Sequence, residues 1–260
     1  MALKTLKFET QGPLGMLTLN RQDRLNAISR EMTTELEQLI THLETDDEVR
    51  VIIVTGEGRA FCAGADIKER TENLDDLSLA RTSSVISPTF RRLERLNQVS
   101  IAAINGVAAG GGLELAMACD LRIASTEARM ALPELTLGIL PGAGGTQRLP
   151  RLVGPARAKE MMLFGKFIDA RKARDWGLVN EIAPPGRLMG QAKVWAGTLL
   201  DLPPLSLASI KNAVNVAMDA DLDTGIQYEQ RCSAMLVLTE DRREGHSAFV
   251  EKRAPVFVGR

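Results

Sequence analysis

Residues 105–120 read NGVAAGGGLELAMACD and contain the only run of three glycines in the chain. An extended β-branched stretch precedes this segment, and residues 113–119 are typical of a helix. The first amides of a helix have no partner within it and lie at its positive end. Gly111 can therefore offer an amide to an anion. Glu114, three residues later, is predicted to project from the same face, so a carboxylate and an anion-binding amide lie side by side.

Strands and helices are predicted to alternate through the first half of the chain. The extended stretches are residues 3–10, 16–20, 49–55, 100–104 and 121–124, with a turn at Gly12-Pro13. Ser29 is predicted to cap a helix with one apolar stripe, formed by Met32, Leu36, Leu39, Ile40 and Leu43. Strands separated by helices predict a parallel or mixed sheet of the α/β class.

The second half is predicted to be mainly helical from about Pro155 onward. Pro155 and Gly165 are a typical helix start and stop, and a second helix is expected over residues 169–176. The last 60 residues are almost entirely helical in pattern, with apolar side chains at four-residue steps. Such a helical region either caps its own domain or packs on another subunit, and the pattern alone leaves both open.

Composition excludes several classes of function. The chain has 260 residues, 45% of them hydrophobic, which predicts a globular protein with a sizeable core. A net charge of −1 and only 4% aromatic residues argue against nucleic acid or an anionic membrane as a partner. The first ten residues lack the apolar stretch of a signal peptide, and no apolar run is long enough to cross a bilayer. Cytoplasm is therefore expected.

Cysteine and histidine are not expected to carry the chemistry. Cys62, Cys119 and Cys232 are odd in number and scattered, which predicts neither a disulfide framework nor a zinc site. His42 and His246 are far apart, and no G-x-S-x-G motif supplies a nucleophile for either. Acid–base work is therefore expected from carboxylates.

Two further glycine-rich segments, residues 56–66 and 138–146, have a structural and a functional interpretation. Each is either a tight turn in a crowded sheet or a backbone that approaches a ligand closely. A dinucleotide site is rejected because Phe61 stands where the third glycine of that fingerprint belongs, and the chain lacks a P-loop motif.

Glu134 is the second candidate carboxylate, in the apolar string LPEL. Alone, it could be a surface charge or a site residue. Together with Glu114 and the glycine amides it would form an acid–base pair, because burial raises the pKa of a carboxyl group toward the working range.

The chain closely resembles the enoyl-CoA hydratase, or crotonase, family. The strings that carry the resemblance span nearly the whole chain: LNRQDRLNA (19–27), FCAGADIKE (61–69), residues 105–120, PELTLGILPGAGGTQRLPRLVG (133–154) and AFVEKRAPVF (248–257). The resemblance implies an α/β spiral of repeated ββα units over residues 1–195. It also implies a helical trimerisation region over residues 196–260, and homotrimers or homohexamers. It implies no metal and no cofactor beyond the coenzyme A of an acyl-CoA substrate.

The resemblance also implies roles for individual residues. The amides of Ala63 and Gly111 would hold the thioester carbonyl as an oxyanion hole. Glu114 would be the base for attack at the β carbon, and Glu134 would deliver a proton to the α carbon. Gly142 corresponds to a position that contacts the catalytic water or the acyl group. Isomerases of the fold commonly keep only one of the two acids, so the pair favours hydration.

Coenzyme A contacts are implied at both ends of the chain. The expected N-terminal contacts are Arg24 and Leu25, and then Ala63, Gly64, Ala65, Asp66, Ile67 and Lys68. The family often has a lysine at the position of Asp23, so Arg24 is expected to take over a phosphate contact. Phe249 and Lys252 would reach the adenine end of coenzyme A in a neighbouring subunit, although a solvated tail charge is the alternative for Lys252.

The acyl group stays open at this level. Residues 70–96 are expected to form the variable pocket wall, which mixes Val85, Ile86 and Phe90 with many charges. Residues 65–70 and the C-terminal string DRREGHSAFVEKR are similar to hydratases that act on methylglutaconyl-CoA. An isomerase and a catalytically silent acyl-CoA-binding protein are the remaining alternatives.

Overall fold

The computed structural model describes residues 3–73 and 76–260, without the side chains of Arg70 and residues 72–84. The strands in this part are β1 Leu6–Gln11, β2 Leu14–Leu19, β3 Val51–Gly56, β4 Ala60–Cys62, β5 Val99–Ile104, β6 Val107–Ala109, β7 Leu121–Ser125, β8 Arg129–Ala131, β9 Ile168–Asp169 and β10 Glu181–Ala183. The helices are α1 Arg30–Leu43, α2 Ile67–Asn73, α3 Asp76–Arg95, α4 Gly111–Ala118, α5 Gly145–Val153, α6 Pro155–Phe164, α7 Ala170–Asp175, α8 Leu188–Leu200, α9 Pro204–Ala217, α10 Leu222–Val237 and α11 Glu240–Glu251. Short 3-10 helices cover Gln22–Arg24, Glu134–Leu137 and Pro185–Arg187.

Local signals for the helices are confirmed. The Ser29 hydroxyl accepts a hydrogen bond of 3.1 Å from the Met32 amide at the start of α1, which satisfies one of the free first-turn donors. The whole predicted apolar stripe of α1 is buried. Helix α6 begins at Pro155 and ends before Gly165, which adopts a left-handed conformation with φ 59°.

The strands form two sheets that the chain visits in turn. The larger sheet has the order β1-β2-β3-β5-β7-β10 and is parallel except for the β1–β2 pair. The smaller has the order β4-β6-β8-β9. Each of β3, β5 and β7 lies in the larger sheet and is followed by a short strand in the smaller sheet and then by a helical segment. This is the expected spiral of ββα units, with a mixed larger sheet as the pattern predicted.

Glycine is required where these units pack most closely. A Cβ on Gly56 would overlap the carbonyl oxygens of Ala60 and Phe61 at the turn from β3 to β4. A Cβ on Gly106, between β5 and β6, would overlap the Arg59 carbonyl of the preceding unit. These contacts are with backbone atoms, which cannot move aside as the end of a flexible side chain can. The glycines therefore set the spacing between successive units.

Gly112 provides a test of this packing. A Cβ there would overlap the Cys62 carbonyl, because α4 packs directly against β4. We expect Gly112→Ala to lower the free energy of unfolding by about 2 kcal/mol through overpacking. Gly190→Ala is the matched control, since Gly190 lies in α8 with no atom within 4 Å of the added methyl group. Urea unfolding of both variants checks the difference, and equal stability would contradict this account.

The C-terminal helices expose much of their apolar surface. Ile210 and Val214 on α9, and Met235 and Leu238 at the end of α10, are all more than half exposed. One charged side chain of α9 is buried, because the Lys211 ammonium lies 2.8 Å from Asp120 of the core and donates to the Gln98 carbonyl.

Helix α8 spans residue 195 and buries Ala192 and Ala196 against the larger sheet. The division at residue 195 stays a prediction. Among the described residues, no helix is long and apolar enough to cross a membrane.

Candidate active site

The N-terminus of α4 is the centre of the candidate site. Gly110 precedes the helix with φ 51° and ψ −128°, a conformation that suits glycine. The Glu114 amide donates to the Gly110 carbonyl at 3.0 Å and so begins the helical hydrogen bonding. In the described part of the chain, no backbone or side-chain oxygen accepts from the Gly111 amide. The amide is thus left without an acceptor at the start of the helix, and its binding of an anion stays a prediction.

Glu114 is anchored by the glycine-rich loop that precedes α5. Only 2% of the residue is exposed. Its Oε1 accepts hydrogen bonds from the amides of Ala143 at 2.8 Å and Gly145 at 2.7 Å. Burial raises the pKa of Glu114, while these two hydrogen bonds and the charge of Arg148 oppose the rise. One carboxylate oxygen is therefore fixed, and the other is left to act.

Glu134 lies close to the same helix N-terminus. A Cβ placed on Gly110 would be 3.0 Å from Glu134 Oε1, and a Cβ placed on Gly111 would be 3.9 Å from Glu114 Oε2. Burial and then the charge of Glu114 raise the pKa of Glu134 to about 7. Its Oε2 is buried without a hydrogen-bond partner among the described residues. The structure thus brings together two carboxyl groups with different surroundings. The apolar sequence around Glu134 had left open whether it is a surface charge or a site residue.

The loop of residues 21–28 is fixed against residues 57–66. The Asn26 side chain is buried and donates to the carbonyls of Glu57 at 3.0 Å and Ala60 at 2.8 Å. Leu25 and Asn26 both adopt positive φ, at 50° and 57°. The Ile28 amide donates to the Gly64 carbonyl at 2.8 Å. Arg24, Leu25 and residues 63–68 therefore lie side by side, and their contacts with a ligand stay a prediction.

The expected role of the Ala63 amide is not compatible with the structure. That amide already donates to the Leu25 carbonyl at 3.0 Å, so it is not available to a thioester oxygen. The Ala65 amide has no acceptor within the described residues, and it is 3.8 Å from a Cβ placed on Gly111. The pairing of Leu25 with Ala63 could not be seen in the sequence, because it joins segments 38 residues apart. Among the described residues, the amides of Ala65 and Gly111 lie close together and neither has an acceptor.

A family model described as enoyl-CoA hydratase/isomerase matches residues 9–260. The chain belongs to that family. It is 41% identical over 254 residues to the short-chain-enoyl-CoA hydratase of Clostridium acetobutylicum, covering 97% of each. It is 41% identical over 246 residues to the 2,3-dehydroadipyl-CoA hydratase of Escherichia coli, covering 94% of this chain and 95% of the relative. A crystal structure of an enoyl-CoA hydratase from Bacillus anthracis aligns with TM-score 0.96 and 40% identity, covering 99% of this chain and all of that one. The crotonase-like fold class is confirmed.

The other residues that the family resemblance implies as substrate contacts lie in different surroundings. Asp66 forms an ion pair of 2.9 Å with Arg21 and accepts from the Glu69 amide at 3.2 Å, and these contacts lower its pKa against the effect of burial. Ile67 and Lys68 are exposed at the start of α2. Arg24 is exposed and lies 3.5 Å from Asp23, and Gly142 is exposed in the loop beside Glu114. Phe249, 85% exposed, and Lys252 lie at the end of α11.

Several residues that shape this hydratase/isomerase site were not predicted. The amides of Ala143 and Gly145 hold Glu114. The loop beside Ala65 is fixed by Asn26 and Arg21. Arg148 donates to the carbonyl of Ala143, in the loop that holds Glu114. The string PGAGGT indicates that the backbone closely approaches another group. Nothing in the sequence identifies that group as the Glu114 carboxylate. No group of three or more metal-binding side chains occurs within residues whose positions are described.

Proposed function

We propose that the chain is an enoyl-CoA hydratase. It would add water across the 2,3 double bond of an enoyl-CoA thioester and release a 3-hydroxyacyl-CoA. The observation that carries the proposal is the pair of buried carboxyl groups, Glu114 and Glu134, beside the N-terminus of α4, where the Gly111 amide has no acceptor among the described residues. The names of the relatives support it, since those at 41% identity are called hydratases.

The amides of Ala65 and Gly111 would form the oxyanion hole. When water attacks the β carbon of a conjugated thioester, negative charge moves onto the thioester oxygen. Two amide donors and the positive end of α4 stabilise charge at that position. This assignment replaces Ala63, whose amide is bound to Leu25.

Glu114 would act as the base and Glu134 as the acid. The two amide donors on Glu114 favour its ionised form, so its free oxygen can take a proton from the attacking water. Glu134 has a pKa of about 7, so it holds a proton for the α carbon in a large share of molecules at neutral pH. After the reaction Glu114 carries a proton and Glu134 has lost one, and exchange with water restores both. Different surroundings for two acids are a general basis for such a division of roles.

The coenzyme A contacts stay with the loop beside the oxyanion hole. The exposed edge and the backbone of this loop are formed by Arg24, Leu25, Ala63, Gly64, Ala65, Ile67 and Lys68. Gly142 is proposed to contact the acyl group. Asp66 is proposed to support the loop, because its carboxylate is committed to Arg21 and would repel a phosphate. Phe249 and Lys252 are proposed to meet the adenine end of coenzyme A bound to a neighbouring subunit.

A homotrimer or homohexamer is proposed for the assembly. The support is the apolar surface of α9, α10 and α11, which belongs to the proposed oligomerisation region of residues 196–260. Exposed apolar patches of this kind usually mark protein contacts. The substrate is proposed to come from fatty-acid or branched-chain acyl-CoA breakdown. The names of the relatives cover more than one acyl group at equal identity, and part of the predicted pocket wall, residues 72–84, lies outside the described side chains.

The proposal is tested by following the loss of the conjugated enoyl thioester absorbance with crotonyl-CoA. We expect saturable hydration with kcat above about 1 s⁻¹, within the usual range for enzymes. A 3-enoyl-CoA of equal length, assayed for the appearance of conjugation, is the comparison that identifies an isomerase. Absence of hydration with short, medium and branched 2-enoyl-CoAs would refute the proposal and leave an isomerase or an acyl-CoA-binding protein.

A further inference from the structure

Arg148 contacts the back of the loop that anchors Glu114. It lies on α5, and its side chain is only 13% exposed. Its Nη1 donates to the Ala143 carbonyl at 2.9 Å. The amide of the same residue donates to Glu114 Oε1 at 2.8 Å. One residue, Ala143, therefore stands between the guanidinium and the carboxylate.

Gly144 allows this contact. It adopts φ 104°, and a Cβ there would overlap the Arg148 guanidinium. Only a residue without a side chain leaves room for the guanidinium in this position. Two glycines of PGAGGT thus have different roles. The Gly145 amide donates to Glu114, and Gly144 leaves room for Arg148.

Glu94 of α3 orients the guanidinium. Arg148 Nη2 donates to Glu94 Oε2 at 3.0 Å, and Arg148 Nε donates to Glu94 Oε1 at 3.3 Å, which makes the pair bidentate. Burial opposes ionisation of Glu94, but Arg148 and then Arg91 lower its pKa, so it stays charged. A planar guanidinium suits this fork, whereas a lysine ammonium offers only a point charge.

We propose that Arg148 is a positioning residue for the hydration reaction, which holds residues 143–145 so that their amides fix Glu114 in its reactive orientation. The inference rests on the proposed function. Arg148 does not reach the reacting atoms itself and acts through Ala143. Its charge has a second effect, since it favours the ionised form of Glu114.

Other charged groups set the size of that second effect. Glu134, on the neighbouring 3-10 helix, is close enough that the charge of Glu114 raises its pKa. Glu94 offsets part of the charge of Arg148, while Arg91 contacts both Glu94 and Asp219 after α9. Arg151 lines the same cavity of about 350 Å³ as Arg148, but its Nη1 donates to the Gln147 carbonyl of its own helix. The loss of Arg148 is therefore expected to matter more through geometry than through charge.

The test compares four variants with wild type in crotonyl-CoA hydration across pH. We expect Arg148→Met to lower kcat by about tenfold or more, with KM changed less than about threefold, because a displaced base costs rate rather than binding. The ascending limb of its pH profile moves to higher pH, since Glu114 has lost a positive neighbour. Arg148→Lys restores the position of that limb but not kcat. Glu94→Gln also lowers kcat. Arg151→Met, the control on the same helix, behaves as wild type.

Two outcomes would overturn the inference. One is wild-type kcat and pH profile in Arg148→Met, and the other is an equal loss in Arg151→Met. If Arg148→Met does not fold, wild-type kcat in both Arg148→Lys and Glu94→Gln overturns it equally. An inactive wild type would instead refute the proposed hydratase function, so the two failures are distinguishable.

Discussion

Replacing Glu114 by glutamine is expected to reduce kcat for crotonyl-CoA hydration by about 10³-fold, within the range for loss of a general base. The amide oxygen of glutamine can still accept from Ala143 and Gly145, because both donors point at one side-chain oxygen. The other position then carries an NH₂ group, which cannot take a proton from water. Geometry is retained while the base is lost, so KM should change little.

The control for this variant is Glu127→Gln. Glu127 is exposed in the turn between β7 and β8, where the same change of charge removes no contact with the site. Steady-state kinetics and thermal unfolding of both variants are the measurements. A Glu114→Gln enzyme with more than a tenth of wild-type kcat would exclude Glu114 as the base.

Replacing Glu134 by glutamine is expected to reduce kcat by about 10²-fold or more while stabilising the fold above neutral pH. Wild-type kcat/KM should fall as pH rises through about 7, where Glu134 loses its proton. The variant has no such proton to lose, so its remaining activity should lack this descending limb. A wild-type limb retained in Glu134→Gln would assign the titration to another group.

The sign of the stability effect follows from the raised pKa of Glu134. In the unfolded chain this carboxyl ionises near its ordinary value of 4.5, whereas in the folded chain it keeps its proton up to about pH 7. The contribution of Glu134 to the free energy of unfolding therefore falls as pH rises between these values and is constant above, by about 3 kcal/mol in total. Glutamine does not titrate, so the gain of the variant over wild type should grow from pH 5 to pH 8. Urea unfolding at both values measures it, and a gain independent of pH would contradict the buried carboxylate.

A gain in stability with a loss of activity would distinguish a functional from a structural glutamate. Glu35 is the comparison within this chain, because its buried carboxylate accepts from the amides of Lys4, Thr5 and Leu6 and from the Thr5 hydroxyl. Those hydrogen bonds lower its pKa despite burial, so its ionised form stabilises the fold. Glu134 Oε2 is buried without such partners among the described residues, so this carboxyl group lowers the stability of the fold instead of raising it.

Local sequence determined helices α1, α6 and α7, the cap of α1 and most of the larger sheet. Ser29 caps α1 and Pro155 begins α6 through interactions with residues at most four positions away, which is why their patterns were sufficient. The apolar runs of β3 and β5 were equally informative, because strands buried on both faces need continuous apolar residues. The strands β4, β6 and β8 have three residues each, too few to establish a period, and only the family resemblance implied them.

By itself, the sequence also determined that Glu114 follows an available amide by one helical turn, since that spacing is a property of any helix. Tertiary structure decided the rest of the site. It brought Glu134 close to Gly110, paired the Ala63 amide with the Leu25 carbonyl, left the Ala65 amide without an acceptor among the described residues, and brought Arg148 into contact with the Ala143 carbonyl. These contacts join segments far apart in the chain, and a hydrogen bond between such segments depends on how whole units of the spiral pack. Glycine patterns show that a close approach occurs, and only the fold shows which group approaches.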